Sequence, residues 1–286
     1  MADAFLNGDI LDEASAAVSA NDRGLLLGDG VFETLRAYGG TVFRLGAHLA
    51  RLRDSAEFLR LPFGHSDEEI ESAIAELLRR NDCPDAYVRV TVTRGTGAKG
   101  LRLDGDVTPT VLIQARTLQE YPPELYRHGV RLIVSKLSQN SGSPLPRHKT
   151  LSYLLYLLAR QEAVDASAHG AILLNEKGQV TEEAAANLFL VRGGEIVTPP
   201  VHCGLLPGIT RAAVVELAGA HGIPLHERSA AAGELFESDE VFLTNTLMEV
   251  LPVRSVDRRP VGTRTPGPVT ERIRALYRQA VRDETT

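Results

Sequence analysis

From Tyr87 to Thr93 the chain alternates without exception, with Val88, Val90 and Val92 on one side of an extended strand and Tyr87, Arg89, Thr91 and Thr93 on the other. Successive strand side chains point to opposite faces, so the valines define a core face and their neighbours a polar one. The strand runs into a glycine-rich turn at Gly95, Gly97 and Gly100. A polar face of this length is either solvent-exposed or the wall of a cleft, and alternation taken alone favours solvent.

The pattern around this strand is mixed α/β. Phe5 to Ile10 is interrupted by Asn7-Gly8, which signals a type I′ hairpin, and Val31 to Leu45 repeats the pattern around Gly39-Gly40. Leu49, Leu52, Ala56 and Leu59 share one helix face. A second helix opens with Ser66 and Glu69 as a capping box and turns Ile70, Ile74, Leu77 and Leu78 inward. Thr110 to Ala115 reads as another strand, and Thr117 to Tyr126, with Pro122-Pro123, as an aperiodic connector.

Beyond it, strands are expected at Val130 to Ser135, Ala171 to Leu174, Asn187 to Val191, Glu195 to Thr198, Val241 to Thr244 and Val250 to Val256. Helices are expected from about Thr150 to Val164, from Ile209 or Thr210 to Gly222, and from about Pro268 to Val281. The expectation is an α/β (α+β) chain of two domains: a smaller one over residues 1–116, a linker over 117–128, and a larger one over 129–286.

Composition removes several function classes. Net charge is −6 with basic residues scattered, which argues against a nucleic-acid groove or a polybasic membrane patch. The longest apolar stretch, around Tyr153 to Ala159, is far short of the roughly 20 residues of a membrane span. Met1 to Ile10 does not read as an export signal. Cys83 and Cys203 have no zinc-ligand spacing and make no disulfide framework; free thiols in the cytoplasm are expected, and no metal site. Walker, H-E-x-x-H and G-x-S-x-G sequences are absent, and Gly28-Asp29-Gly30 lacks the third glycine of a dinucleotide fingerprint, so it reads as a tight loop.

Three places could carry chemistry. Lys149 follows a loop rich in Ser, Gly and Pro (Ser138 to Pro146) and precedes an apolar stretch, where partial desolvation would favour a neutral amine able to form a Schiff base. Tyr153, four residues on, would share its helix face. On spacing alone the plainer reading is a helix-start lysine beside a core tyrosine. Gly208-Ile209-Thr210-Arg211 opens a helix, where free N–H groups, a hydroxyl and the dipole suit phosphate, or Thr210 merely caps. Glu182 and Glu183 are a solvated pair or a buried carboxylate serving a pyridine nitrogen.

In chain order, "GDGVFETLRAYGG", "HLARLRDSAEFL", "HKTLSYLLYLLARQEA", "VTEEAAANLFLV", "LLPGITR" and "TNTLMEVLPV" resemble the class IV aminotransferases, the fold-type IV enzymes of pyridoxal 5′-phosphate (PLP). Branched-chain aminotransferases, D-amino acid aminotransferases and aminodeoxychorismate lyases belong to that family. The resemblance runs from Gly24 to about Asp257. It implies two α/β domains with PLP in the cleft between them and a homodimer whose sites are completed across the interface.

The resemblance also implies roles. Lys149 holds PLP as a Schiff base and moves the proton between the substrate Cα and the cofactor C4′. Glu182 faces the pyridine nitrogen, and Tyr153 contacts the ring hydroxyl. Arg51, Ile209, Thr210 and Thr246 hold the phosphate. The polar strand face becomes cleft wall, so Arg89 is expected to take the substrate carboxylate, with Phe32, Tyr87 and Leu247 nearby. Glu183 stands where many members have Gly, and Ser152 where Asn is common. Gly95 to Leu101 lacks the Arg-x-His of D-amino acid aminotransferases. "TNTLMEVLPV" leans towards the lyases and Tyr153 with "YVR" towards the branched-chain enzymes. The expected function is transamination between an amino acid and a 2-oxo acid. The alternative is elimination of pyruvate from aminodeoxychorismate to give 4-aminobenzoate.

Overall fold

The computed structural model describes residues 2–97, 100–103 and 105–285. Residues 98 and 99, within the Gly95 to Leu101 segment, lie outside them. The chain forms two compact units. One comprises Met1–Gln119, His148–Ser152 and Asp283–Thr286; the other comprises Glu120–Arg147 and Tyr153–Arg282.

The first unit begins with β1 (Asp3–Leu6) and β2 (Asp9–Asp12), joined by the Asn7-Gly8 hairpin. Both turn residues have positive φ, 53° and 110°, as a type I′ turn requires. A short helix α1 (Arg23–Leu27) ends on Gly28 in the left-handed region and leads into β3 (Gly30–Tyr38). Gly39-Gly40 turns the chain into β4 (Thr41–Val42). Helices α2 (Leu45–Phe58) and α3 (Asp67–Arg80) follow, and the Ser66/Glu69 capping box closes reciprocally, worth about 1 kcal/mol. Strands β5 (Ala86–Thr96) and β6 (Thr108–Thr117) complete a sheet of order β2-β1-β6-β5-β3-β4.

One face of this sheet is the core: Val31 and Leu35, the three valines of β5, and Val111 and Ile113 are buried with the inward residues of α2 and α3. The opposite face carries Phe32 and Thr34 of β3 in register with Thr91 and Arg89 of β5. Tyr87, Arg89 and Thr91 are half-buried, so this polar face is not freely solvated.

The second unit opens with a helix that the sequence reading missed, α4 (Pro123–His128). Pro123 at its first position costs no hydrogen bond, because that N–H has no helical partner anyway. Then come β7 (Val130–Gln139), α5 (Leu154–Asp165), β8 (Gly170–Asn175), β9 (Val180–Glu183), β10 (Ala186–Arg192) and β11 (Glu195–Thr198). Next are α6 (Ile209–Ala220), β12 (Leu225–Glu227) and α7 (Glu234–Glu237). The unit closes with β13 (Glu240–Asn245), β14 (Glu249–Val256), β15 (Arg259–Pro260) and α8 (Pro268–Thr285). The sheet runs β12-β11-β10-β13-β14-β7-β8-β9, and β9 pairs back onto β10. Six strands thereby close a ring without free edges. Its buried residues include Leu132, Ile172, Val180, Leu188, Leu243 and Leu251.

The helix expected from Thr150 starts instead at Leu154, with Tyr153 as its N-cap residue. Residues 149–151 are extended along the start of β3: Phe32 N–H donates to Lys149 O at 2.9 Å and Leu151 N–H to Gly30 O at 2.9 Å. Gly30 makes this possible, because a Cβ there would lie 2.7 Å from the Leu151 Cδ1. Backbone pairing and that close fit outweigh the helix propensity of the leucine-rich stretch.

Candidate active site

Within the first unit, Lys149 is held by its backbone. Thr150 bridges Val31, and the preceding His148 ring stacks on Phe58 with centroids 4.0 Å apart. The Lys149 Nζ lies 4.6 Å from the Phe32 ring centroid, and the Arg89 guanidinium carbon lies 3.9 Å from it. Arg89 Nε also donates to Thr91 Oγ1 at 3.1 Å, so β5 aims its own arginine. Lys149, Phe32 and Arg89 therefore stand together. Tyr87 is on the same face of β5, two residues from Arg89. The proximity of Lys149 and Tyr153 on a shared helix face does not hold, because Lys149 is not helical.

Beneath the Phe32 face, on the core side of β3, lies a buried charged group that the sequence reading did not identify. Glu33 is wholly buried and accepts from Arg51 Nε at 2.7 Å, Arg51 Nη2 at 2.8 Å and His48 Nδ1 at 2.9 Å. Arg51 was expected to grip a phosphate with its guanidinium fork; here that fork grips Glu33. Burial by itself would raise the Glu33 pKa, but the Arg51 charge and the hydrogen bonds from His48 and Arg51 overcome it and hold it at about 2. Burial, reinforced by the positive charges of Arg51 and Lys149, keeps His48 below its ordinary range despite Glu33. An ionised carboxylate only accepts, so the neutral imidazole carries its proton on Nδ1.

Both groups make the fold acid-sensitive. The His48 value is depressed from 6.5, so its contribution is present above 6.5 and lost as the pH falls below it. Glu33 adds a second loss as the pH falls from 4.5 to about 2. The unfolding temperature of the cofactor-free protein should therefore drop first just below pH 6.5, and His48→Gln should flatten that first segment. An unchanged profile in the variant would count against this account of His48.

Within the second unit, β9 carries both Glu182 and Glu183 into the interior, each about 5% exposed. The solvated-pair reading is thus overturned: β9 is an inner strand between β8 and β10, and all four of its residues are buried. The two acids differ in their contacts. Glu182 accepts from Tyr156 Oη at 3.2 Å, from Gln139 Nε2 at 3.4 Å and from Leu206 N–H at 3.1 Å. Glu183 accepts from Ala185 N–H at 2.8 Å and packs against Gly170. Burial pushes the Glu183 carboxyl above its ordinary range, against the opposing Ala185 hydrogen bond and Arg160 charge. Tyr153 rests on Tyr156, with ring centroids 4.8 Å apart.

The loop before α6 is tied down by Asn187, whose Nδ2 donates to Leu206 O at 2.9 Å. Its Oδ1 sits where a Cβ on Gly208 would be, so any larger residue there would displace the Asn187 amide. Gly208 caps α6 without any side-chain hydrogen bond. The first N–H groups, at Ile209 and Thr210, thus meet no cap of their own, which suits an anion. Thr246 and Leu247 sit on a turn shaped by Asn245, whose Oδ1 accepts from Leu247 N–H at 3.0 Å and Met248 N–H at 2.8 Å. Tyr126, on α4, donates to Met248 O at 3.0 Å and steadies the same turn. These features fit a phosphorylated pyridine cofactor: a buried acid held by donors, and an uncapped helix start.

The family model of the class IV amino-transferases matches residues 30–256. The chain belongs to the class IV aminotransferases. This class IV chain is 34% identical over 288 residues to the branched-chain-amino-acid aminotransferase of Pseudomonas aeruginosa, covering 98% of this chain and 93% of that one. It is 33% identical to the D-alanine aminotransferase of Bacillus licheniformis, covering 98% of both. Among solved structures, the T.th. branched-chain amino acid aminotransferase with pyridoxamine 5′-phosphate superposes with a TM-score of 0.94 at 35% identity, covering 99% of this chain and 95% of that one. The mixed α/β fold is that of these aminotransferases.

Against this class IV background, the residues missed from sequence are Glu33, His48, Gln139 and Tyr156. Each is a polar group whose partner lies far along the chain, 15 to 43 residues away. Asn187 carried a signal, since a polar residue at the head of an apolar strand invites a search for the loop it holds.

Proposed function

We propose that this protein binds PLP through Lys149 and transfers an amino group from an amino acid to a 2-oxo acid. The observation that carries the proposal is the half-buried Lys149 amine standing with Arg89 against Phe32. With both cations gathered at one aromatic ring, the guanidinium can take the α-carboxylate of an amino acid and the amine can serve the Cα it belongs to. Bound PLP supplies an aldehyde that takes up the amino group and a ring that accepts the electron pair released at Cα.

The chain's residues supply the rest. Lys149 would anchor the cofactor covalently and would move the proton between the substrate Cα and the cofactor C4′. Glu182 keeps the ring nitrogen protonated, so the ring stays an electron sink. Tyr153 would meet the ring hydroxyl. Ile209 and Thr210 at the uncapped start of α6, with Thr246, hold the phosphate, and Arg51 contributes its charge while Glu33 holds its fork. Phe32, Tyr87 and Leu247 bound the substrate side chain. A division into two domains near residues 117–128 belongs to the same proposal.

A cytoplasmic homodimer completes the proposal. Leu154, Leu157 and Leu158 of α5 are 68%, 62% and 50% exposed, an apolar face that a second copy would cover. Among the described residues no helix is long and apolar enough to cross a membrane.

The test is product stoichiometry. Incubation with an amino acid and a 2-oxo acid should yield one new amino acid for each new 2-oxo acid. Incubation with aminodeoxychorismate and no 2-oxo acid should yield neither pyruvate nor 4-aminobenzoate. Formation of both would replace the transaminase by the lyase. Sedimentation at twice the 31.0 kDa chain mass is expected, and a monomer would contradict the dimer.

A further inference from the structure

Gln139, Tyr156 and Glu182 form a directed chain of hydrogen bonds. Gln139 Nε2 donates to Tyr156 Oη at 2.7 Å, and Tyr156 Oη donates to Glu182 Oε1 at 3.2 Å. The direction is dictated by chemistry. An amide nitrogen can only donate, so the phenol oxygen accepts from it and sends its single proton to the carboxylate. Gln139 Nε2 also reaches Glu182 Oε1 itself at 3.4 Å, and Leu206 N–H holds Oε2 at 3.1 Å. The donors come from the end of β7, from α5 and from the loop before α6. Gln139 is about 3% exposed and Glu182 about 5%, so water competes little for these bonds.

We propose that Tyr156, backed by Gln139, is a positioning residue that aims the Glu182 carboxylate at the cationic N–H of its ligand and keeps that carboxylate from turning away. The proposal rests on the reading of Glu182 as the partner of a pyridinium nitrogen. Tyr156 is well placed for it. Its ring is fixed by Tyr153 alongside, and its hydroxyl has no second proton to offer elsewhere. Burial and the adjacent Glu182 charge push the phenol far above its ordinary range, so it remains a donor at every working pH. A carboxylate with two fixed donors on one oxygen and a third on the other has little rotational freedom. That is the condition for a strong, directed ion pair with a ring N–H.

The test compares holoenzyme of the wild type, Tyr156→Phe and Gln139→Met. Phe keeps the ring packing and removes only the hydroxyl; Met keeps the length of Gln and removes the amide. Loss of one hydrogen bond to a charged group should lower kcat about tenfold in Tyr156→Phe while KM for the amino acid changes less than about twofold. The pH at which the bound cofactor's visible band titrates should fall by about one unit, the same tenfold effect read on the ring nitrogen. Gln139→Met should shift the band in the same direction by less, and the double variant should resemble Tyr156→Phe rather than the sum. If Tyr156→Phe fails to fold, Gln139→Met carries the test through the same band shift. A band that titrates as in wild type in the folded variants overturns the proposal, even if kcat falls, because a purely structural defect would do that. A wild-type protein without any cofactor band rejects the Glu182 reading itself, a separate outcome.

Discussion

With Lys149 changed to alanine, transamination should fall by at least about 10³-fold, because covalent anchoring and general-base catalysis are lost together. The visible band of the lysine-bound cofactor should vanish with it. Folding should be almost untouched. The backbone of residue 149, not its side chain, makes the bond to Phe32 N–H that holds the segment along β3. The attraction of its side chain to the Phe32 ring is worth roughly 1 kcal/mol or less. Lys149→Arg should lose activity as fully as alanine, since a guanidinium keeps the charge but is never deprotonated. Partial rescue of the alanine variant by small primary amines would mark the missing group as an amine base. A variant that turned over at the wild-type rate would end the proposal.

Changing Glu182 to glutamine should lower kcat about 10²-fold, a typical cost for removing one preorganised electrostatic group at a reacting centre. Glutamine retains the size of the side chain, so the change removes charge, not packing. Its neutral amide cannot hold a proton on a ring nitrogen, and its N–H would confront either Leu206 N–H or the donors at Oε1. The neighbouring Glu183→Gln supplies the contrast. That carboxyl accepts from Ala185 N–H, and burial pushes its pKa up, so an amide replaces it with little electrostatic change. Its kcat should stay within about threefold of wild type, measured alongside, in keeping with a site away from the chemistry. Equal losses in the two variants would mean that the wrong acid had been assigned.

The contrast between these two acids shows what a sequence can and cannot convey. Local pattern was legible wherever one rule governs: the alternation of Tyr87 to Thr93, the Asn7-Gly8 hairpin and the Ser66/Glu69 box are all as expected. Glu182 and Glu183 were recognisable as acids ahead of a strand, but not as buried. Their burial comes from the placement of β9 inside the sheet, between β8 and β10 with both of its faces covered, a tertiary event. The same limit explains Lys149. The apolar run after it reads as helix from Thr150, yet pairing with Gly30 and Phe32 keeps residues 149–151 extended and delays α5 to Leu154. Propensity is a weak preference, and backbone pairing between segments far apart in the chain overrides it. The Glu33–His48–Arg51 group was hidden for a related reason: Glu33 occupies a core-facing position in β3, where an acid is expected only if a helix delivers its partners.

The central claim is that Lys149, and no other lysine, carries the cofactor. The chain has four lysines, Lys99, Lys136, Lys149 and Lys177, and of these Lys136 and Lys177 are exposed whereas Lys149 is half-buried beside Phe32. Borohydride reduction of the PLP-loaded protein, followed by proteolysis and mass spectrometry, reads the attachment point directly. The account predicts one phosphopyridoxyl group per chain, on the peptide containing Lys149. A label spread over the exposed lysines, or concentrated on any lysine but Lys149, would contradict it.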